Sequence, residues 1–218
     1  MAIISKWSLN WNANDSNWTN NWTATNITYV QWKQNQWWRF NGSSSVIQCS
    51  DSASLSITWN YSFNIWFYAN ALPSSWQVVT PLSKYDETWN NWWYEFYIWN
   101  NAWVYNIDNR FRTSWWGTQS NNNIVSISTW KWFMFTWVLN WTSLSSYLNW
   151  VLLSTSTVSW VPWNNTKLLN IWNFWYYTPS AWNLSRWFNW IIDEVEIHNS
   201  ALSSTEIKNK YLYYNWFM

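Results

Sequence analysis

Residues 61–69, YSFNIWFYA, constrain the possible fold of this chain more than any other segment. The side chains of a strand alternate between its two faces. One face would carry Tyr61, Phe63, Ile65 and Phe67. The opposite face would carry Ser62, Asn64, Trp66 and Tyr68. Because both faces are largely apolar or aromatic, this segment is predicted to be a central strand that other layers cover on both sides.

Short apolar segments separated by polar turns recur along the whole chain, and no helical pattern appears before its end. Predicted strands cover residues 3–9, 25–30, 38–40, 46–49, 77–84, 94–98, 109–112 and 168–171. Residues 99–123 are expected to hold only short strands and polar turns, and residues 128–158 predict a three-stranded meander. This spacing is typical of a β-sandwich, and 218 residues suffice for one such domain, residues 1–218.

Residues 187–211 predict a long strand that leads into a short helix. Alternation gives the strand one mostly apolar face, which we expect to point inward and to carry Ile191, Asp193, Val195 and Ile197. The other face would carry Ile192, Glu194 and Glu196. Ser203 and Glu206 have the spacing of a capping box, in which each side chain binds the backbone amide of the other residue. The helix is therefore predicted to begin here.

Charge and hydropathy argue against two classes of partner. The chain has 11 Lys+Arg against 10 Asp+Glu, and only 10% of its residues are charged. We therefore expect no binding to nucleic acid or to an anionic membrane. No apolar run reaches the length of about 18 residues that a transmembrane helix needs. Residues 1–10 lack the features of a secretion signal, so we expect a piece of a longer exported protein or a protein without a standard export signal.

The use of tryptophan and glycine is abnormal. The chain has 30 Trp and 2 Gly, whereas average usage would give roughly 15 Gly. Tryptophan repeatedly follows asparagine where a β protein would use the turn dipeptide Asn-Gly, as at Asn140-Trp141 and Asn149-Trp150 in the predicted meander. Such turns need positive φ, which glycine adopts freely and a bulky residue adopts only with strain.

The end of the chain resembles the closing signature of laminin-G-like jelly-roll domains of the concanavalin A-like superfamily, approximately G-x-I-D-E-V-x-I-x-x-x-A-L-S-x-x-E-I. Every fixed position after the first matches, and the first is Trp190. The turn at residues 40–43 (FNGS) and the meander match two further signatures. The resemblance covers essentially the whole chain. It implies an all-β, two-sheet antiparallel jelly-roll sandwich (concanavalin A-like) with one short C-terminal helix.

Alignment with this family keeps Trp7, Trp66 and Trp132 as genuine tryptophans. We interpret most of the others as glycine codons. This would follow if UGA encodes glycine in the source, as in some uncultured bacterial lineages, but has been translated as Trp. A truly Trp-rich surface, such as an aromatic binding array, is the alternative interpretation.

Asp193 is a candidate calcium ligand, because a carboxylate on an apolar face needs a partner that offsets its desolvation. In related jelly rolls the equivalent aspartate helps to bind a structural Ca²⁺ together with backbone carbonyls. The resemblance places those carbonyls at Asn41 and Gly42, and hard oxygen ligands suit this ion. The alternative is that Asp193 caps a turn or accepts backbone amides.

Glu194 and Glu196 lie two residues apart on one strand face, which separates their carboxyls by about 6 to 7 Å, close to the spacing of glycosidase carboxylates. They belong to the terminal strand, however, and no E-x-D-x-x-E pattern occurs on an internal strand. We therefore expect no catalytic residues and no enzyme activity. His198, the only histidine, cannot complete a zinc site or a triad and is expected at the surface.

Family members bind ligands through variable loops at one end of the sandwich, and sugar sites usually combine an aromatic platform with planar polar groups. If the turn tryptophans stand for glycine, the remaining candidates are Tyr85, Asp86, Arg110, Arg112, Tyr176 and Tyr177.

The resemblance implies a non-catalytic carbohydrate-binding or adhesion module of an extracellular or cell-surface bacterial protein, with a glycan or a cell-surface protein as its partner. One alternative is a glycoside hydrolase or polysaccharide lyase of the same superfamily. The other is a structural or self-associating appendage subunit.

Overall fold

The chain folds into two antiparallel β-sheets that enclose one large apolar core, with an α-helix near the C-terminus. The computed structural model describes residues 3–8, 14–17, 19–32, 35–56, 60–84, 94–102, 104–112, 118–159, 166–171 and 189–216. This architecture confirms the predicted all-β, two-sheet antiparallel sandwich with a short C-terminal helix. Within these residues no helix is long and apolar enough to cross a membrane.

The first sheet has eight strands. Its order is β13 (Val151–Thr157), β12 (Ser143–Leu148), β11 (Trp132–Asn140), β6 (Tyr61–Ala69), β15 (Trp190–His198), β4 (Asn35–Arg39) and β3 (Thr28–Trp32). The eighth strand, β1 (Ile3–Trp7), also pairs with β15. The long strands β6 and β15 therefore lie at the centre of this sheet.

The second sheet has seven strands. Its order is β10 (Thr118–Val125), β9 (Val104–Arg112), β8 (Tyr94–Asn101), β7 (Val78–Lys84), β14 (Leu169–Ile171), β5 (Val46–Cys49) and β2 (Trp22–Thr25). A short 3₁₀ helix spans Ala53–Leu55, and the helix α1 spans Ser204–Asn215. Below, the outer face of each sheet is the face that points away from the other sheet.

The strand β6 is covered on both faces, as predicted. Towards the other sheet, the Phe63 ring lies 4.6 Å from the ring of Tyr94 in β8. On the outer face, Trp66 stacks on Tyr211 of α1 at 5.6 Å. The helix therefore forms a third layer over part of the eight-stranded sheet.

The helix α1 begins with the predicted capping box. The hydroxyl of Ser203 accepts a hydrogen bond from the amide of Glu206 at 3.3 Å, and the Glu206 carboxylate accepts the amide of Ser203 at 2.7 Å. These bonds satisfy amides that the first turn of a helix otherwise leaves unpaired. Leu202 and Ile207 beside them are buried against the sheet.

The prediction of one strand over residues 25–30 is wrong. β2 ends at Thr25 and pairs with β5 in the seven-stranded sheet, whereas β3 begins at Thr28 and pairs with β4 in the eight-stranded sheet. Between them, Asn26 has φ of 52°. Asparagine tolerates this left-handed conformation better than most residues, so the chain can turn here from one sheet into the other.

The assignment of faces in β15 is also partly wrong, because the strand contains a β-bulge. Asp193 lies opposite Trp66 and Glu196 lies opposite Asn64, so three residue steps on β15 face two on β6. The extra residue, Glu194, has φ of 45°. A bulge leaves one residue unpaired and changes the phase of the alternation.

Because of this bulge, the side chains of β15 that reach the core between the sheets are Trp190, Ile192, Val195 and Ile197. Ile191 and Asp193 were expected on that face with Val195 and Ile197. They precede the bulge and lie on the outer face, paired with Tyr68 and Trp66.

Residues 99–123 form longer strands than their composition predicts. β8 extends to Asn101, and β9 and β10 pair over eight positions. Asparagine disfavours strands, but Asn121 in β10 is 4% exposed and donates to the backbone carbonyl of Leu144 at 2.6 Å and to Ser146 at 3.1 Å. These bonds to the opposite sheet override the local preference.

The predicted tight turns of the meander are present. Trp141 follows β11 with φ of 53°, and Asn149 and Trp150 join β12 to β13 with φ of 49° and 65°. Positive φ at both central residues is the requirement of a type I′ hairpin, the turn for which Asn-Gly is preferred. Tryptophan therefore occupies positions that glycine adopts without strain.

The sequence predicted the exposure of Cys49 correctly and that of His198 wrongly. Cys49 is buried, as expected, and burial raises the pKa of its thiol to about 12, which disfavours the reactive thiolate. His198 was expected at the surface, but it is fully buried beneath α1, with Nε2 at 3.0 Å from a carboxylate oxygen of Glu196. The expectation for His198 is wrong, because the helix α1 covers the part of the outer face on which its neighbour Glu196 lies.

Candidate functional site

Polar side chains form a row across the outer face of the seven-stranded sheet. Residues directly paired on neighbouring antiparallel strands point to the same face. The register aligns one polar residue from each strand, in the order Thr23, Gln48, Asn170, Ser83, Glu95, Arg110 and Ser120. A second row beside it contains Tyr97, Asp108 and Asn122. We call Glu95, Tyr97, Asp108 and Arg110 the carboxylate cluster.

Apolar residues on the same strands hold the carboxylate cluster in place. Phe96 and Ile98 of β8, and Ile107 and Phe111 of β9, belong to the core between the sheets. Because strand side chains alternate, Glu95, Tyr97, Asp108 and Arg110 must point outward. The cluster is therefore carried by two rigid strands rather than by a loop.

The first half of the cluster is an ion pair. Two guanidinium nitrogens of Arg110 contact the same carboxylate oxygen of Glu95, Nε at 2.9 Å and Nη2 at 2.7 Å. The guanidinium carbon also lies 4.7 Å from the centre of the Tyr97 ring, a cation–π arrangement. The Glu95 side chain is 3% exposed. Arg110 is thus fixed in orientation, and its charge is balanced by Glu95.

The second half of the cluster contains a carboxylate with an unused oxygen. Asp108 is 5% exposed, and its Oδ2 accepts a hydrogen bond from the Tyr97 hydroxyl. Its Oδ1 is buried and has no hydrogen-bond partner in the described part of the chain. Burial raises the pKa of Asp108 to about 6, although the bond from Tyr97 and the charge of Arg110 lower it.

A buried polar atom without a partner destabilises the folded state, and such atoms are rare in folded proteins. A hydroxyl or an amide of a ligand would satisfy Asp108 Oδ1 once the side chains that cover this oxygen move aside. Beside it are the partly exposed Tyr97 ring and the exposed Asn122. An aromatic ring next to planar polar groups is the combination that sugar recognition needs, so the outer face of this sheet can bind a hydroxyl-rich ligand.

The structure places only some of the ligand-binding residues that the sequence predicts. Arg110 is in the carboxylate cluster. Arg112 lies at the end of β9, and its side chain is outside the described residues. Four further candidates also lie outside the described residues, namely Tyr85, Asp86, Tyr176 and Tyr177. These five stay predictions.

Sequence reasoning missed Glu95, Tyr97 and Asp108, although a signal for them exists. In residues 94–98 and 105–111, polar residues alternate with Phe and Ile. This alternation predicts one polar face on each strand. It does not predict that the two faces are adjacent, because that depends on the pairing of β8 with β9.

Two of the residues predicted at the calcium site use their side chains in hydrogen bonds, whereas the ligands predicted at Asn41 and Gly42 are backbone carbonyls. Asp193 Oδ1 accepts the amide of Glu194 at 2.9 Å. The side-chain oxygen of Asn41 accepts the backbone amides of residues 43–45 at 2.9 to 3.1 Å, and Gly42 has φ of 74° in this turn. Within the described residues, no group of three or more His, Cys, Asp or Glu side chains is arranged to hold a metal.

The register also separates Asp193 from the turn at Asn41. Arg39 lies opposite Ile191, so Asn41 lies beyond the first residue of β15. Asp193 is about four residues further along the strand, roughly 13 Å at the usual rise per residue. A calcium ion binds its ligands at 2.3 to 2.6 Å, so this separation disfavours one ion held by all three residues. The calcium site at Asp193, Asn41 and Gly42 stays a prediction.

Glu194 and Glu196 lie beneath α1 and are paired with cations. The ammonium of Lys6 lies 3.0 Å from Glu194, and the ammonium of Lys210 lies 2.6 Å from Glu196. Burial would raise the pKa of Glu196, but the bond from His198 and the charge of Lys210 outweigh it and hold this pKa at about 2. Burial raises the pKa of Glu194, and Lys6 only partly opposes it. These carboxylates fasten the helix to the sheet.

Comparison with known proteins identifies relatives in fold alone. No family model and no curated protein sequence matches the chain. Among solved structures, the binding domain of botulinum neurotoxin serotype G has a TM-score of 0.77 and 16% sequence identity, over 98% of this chain and 51% of that one. The binding domain of paraclostridial mosquitocidal protein 1 has a TM-score of 0.74 and 12% identity, over 97% and 52% of the two chains.

A structure of botulinum neurotoxin type C, whose cell entry is described as dependent upon interaction with two ganglioside molecules, has a TM-score of 0.72 and 16% identity. It is matched over 96% of this chain and 51% of that one. The chain thus spans about half the length of the binding domains it resembles. A partner described for one of these domains is therefore not assigned to the half that they share with this chain.

Proposed function

We propose that this chain is a non-catalytic carbohydrate-recognition module that acts outside the cell or at a cell surface, with the carboxylate cluster as its glycan site. The observation that carries the proposal is Asp108 Oδ1, a buried acceptor beside the Tyr97 ring that has no hydrogen-bond partner among the described residues. A sugar hydroxyl would donate to this oxygen. The apolar face of the sugar would pack on the aromatic ring.

Two further observations support this proposal. The similar solved structures are binding domains, and one of them is described through its gangliosides, which are glycolipids. In addition, Glu95 is occupied by Arg110 at 2.7 Å, so the cluster offers one free carboxylate oxygen rather than the pair of free carboxyls that glycoside hydrolysis uses. Recognition therefore fits the geometry better than catalysis.

We also propose that the chain is a laminin-G-like domain in which turn tryptophans replace glycine. Trp76, Trp130, Trp141 and Trp150 all have φ between 53° and 67°, which supports this interpretation. The codons of the source gene test it directly. TGG at Trp141 and Trp150, rather than TGA, would contradict it.

Glycan-array binding followed by titration calorimetry tests the recognition proposal. Asp108→Asn and Tyr97→Ala should each weaken binding to a glycan found on the array by about 10-fold or more, since a hydrogen bond to a charged group contributes about 1.5 kcal/mol or more. Tyr29→Ala is the matched control, because Tyr29 is a partly exposed strand tyrosine on the other sheet. It should leave binding unchanged.

Four results would overturn the proposal. An array without any bound glycan would remove its basis, and an equal loss in Tyr29→Ala would show that the effect is not local. Cleavage of a bound glycan that Asp108→Asn abolishes would favour a hydrolase or lyase instead. Self-association without glycan binding would favour an appendage subunit.

A further inference from the structure

A cavity of about 440 Å³ opens on the outer face of the eight-stranded sheet, beside the part that α1 covers. Its floor comes from the pairing of β4, β15 and β6, where Arg39 lies opposite Ile191 and Ile191 lies opposite Tyr68. Asn70 and Asn189 line its rim. The cavity is on the opposite side of the sandwich from the carboxylate cluster, and its volume is within the range of small-molecule sites.

Arg39 is held in place at this cavity by two asparagines. Its Nε donates to the side-chain oxygen of Asn189 at 3.1 Å, and the Asn70 amide donates to the same oxygen at 3.1 Å. Arg39 is exposed, and no described residue contacts its two terminal nitrogens. These nitrogens form the half of the guanidinium that binds a carboxylate through two parallel hydrogen bonds.

The cavity combines this positive charge with apolar and aromatic walls. The side chains of Ile191 and Val30 line it together with the rings of Tyr68, Trp37 and Trp130. Among the described residues of this lining Arg39 is the only charged one, so none of them is a carboxylate that neutralises it. A ligand that complements the cavity must bring a negative charge and a ring with an apolar face.

We infer that this cavity binds an acidic saccharide, with the sugar carboxylate on the terminal nitrogens of Arg39 and the sugar ring on Tyr68. Asn189 and Asn70 are positioning residues that orient the guanidinium. The inference goes beyond the glycan site on the other sheet, because the two sites share no residue and recognise different chemistry. The polar contacts and the stacking ring come from Arg39, Tyr68, Asn70 and Asn189, whereas Trp37 and Trp130 only shape the walls of the cavity.

Titration calorimetry with glucuronic acid and glucose tests the inference, because these sugars differ only in a carboxylate at one carbon. The protein should bind glucuronate at least 10-fold more tightly than glucose, and added salt should weaken the difference. Arg39→Gln should remove the preference, whereas Arg39→Lys should keep part of it. Both changes are at an exposed side chain, so folding should be retained.

Lys131→Gln is the matched control, because Lys131 is an exposed cation adjacent to Trp130 in the chain but does not line the cavity. It should leave the glucuronate affinity within two-fold, and Trp130→Gly should retain the preference for glucuronate. Three results would overturn the inference. The two sugars could bind equally well, or Lys131→Gln and Arg39→Gln could lose the same glucuronate affinity. The third is acetate binding as tightly as glucuronate. Asp108→Asn should not change the glucuronate affinity. A failure of this inference can therefore be told apart from a failure of the proposed glycan site.

Discussion

Tryptophan with positive φ in turns is the most unusual feature at the scale of single residues. Among the described residues, eight non-glycine residues have positive φ, and four of them are Trp. Each of the four is partly or largely exposed, so packing of the large ring does not account for its position. A bulky residue in the left-handed region costs about 1 to 2 kcal/mol, and asparagine loses less. The turns are therefore formed in spite of these side chains.

Trp141→Gly is expected to stabilise the protein by roughly 0.5 to 1 kcal/mol, because the release of backbone strain exceeds the greater entropy of glycine in the unfolded chain. Trp141 is 62% exposed, so little packing is lost. Equilibrium denaturation with urea measures the difference.

Trp216→Gly is the control for this experiment. Trp216 is 81% exposed but has φ of −66°, where glycine brings no relief. It should give no gain in stability. A gain of the same size at both positions would show that the effect comes from removing exposed aromatic surface rather than from φ.

At the scale of elements, the bulge in β15 and the helix α1 act together. The bulge brings Glu194 and Glu196 to the outer face, where Lys6 of β1 and Lys210 of α1 meet them. The Tyr214 hydroxyl donates to Glu196 at 2.9 Å. A buried charge is stable only when partners of this kind surround it. One carboxylate therefore joins the first strand, the last strand and the helix.

Glu196→Gln should lower the free energy of unfolding by about 3 kcal/mol at neutral pH, since it leaves buried cations without their partner. The pKa of Glu196 is lowered from 4.5 to about 2 in the folded state. Its stabilisation is therefore complete above pH 4.5 and is lost as the pH falls towards 2. Urea denaturation at a series of pH values measures the free energy of unfolding of the unmodified protein and of Glu196→Gln. The difference between these two free energies should become smaller as the pH falls over this range.

Glu194→Gln provides the comparison, because the pKa of Glu194 is raised and ionisation of this group in the folded state is disfavoured. The change should cost less than half as much as Glu196→Gln at neutral pH. A difference for Glu196→Gln that does not vary between pH 7 and pH 3 would show that packing, and not charge, is responsible.

At the scale of the whole molecule, the sandwich presents two outer faces of different chemistry. Among the described residues, the seven-stranded sheet carries a balanced ion pair and a buried carboxylate oxygen without a hydrogen-bond partner. The eight-stranded sheet carries a guanidinium, bound to Asn189 through Nε, beside aromatic rings. The aromatic core separates them, with Phe96 of one sheet stacked on Phe135 of the other at 4.4 Å. Sheets in a sandwich are about 10 Å apart.

Binding at the two faces should therefore be independent. Sites more than about 7 to 10 Å apart that share no partner usually have additive effects. The double variant Asp108→Asn with Arg39→Gln should lose each ligand to the extent of the corresponding single variant, within two-fold in calorimetric affinity. If Arg39→Gln lowered the affinity for the array glycan as strongly as Asp108→Asn does, the two faces would not be separate sites.

The sequence by itself determined the features that depend on neighbouring residues. Alternation in residues 61–69 predicted a strand buried on both faces, Ser203 and Glu206 predicted the start of α1, and Asn149-Trp150 predicted a hairpin turn. These features are local, because strand alternation, helix capping and turn conformation involve residues within a few positions of one another.

Which strands pair, and in which register, depends on tertiary contacts and could not be predicted from the sequence. In the structure Asp193 lies on the outer face, His198 is buried, and residues 25–30 belong to two different sheets. Tyr97 and Asp108 are in contact. Pairing depends on residues distant in sequence, and a single extra residue in a bulge puts the residues before it and those after it out of phase. Both proposed sites are made of such pairings, so the sequence supplied their residue types but not their positions.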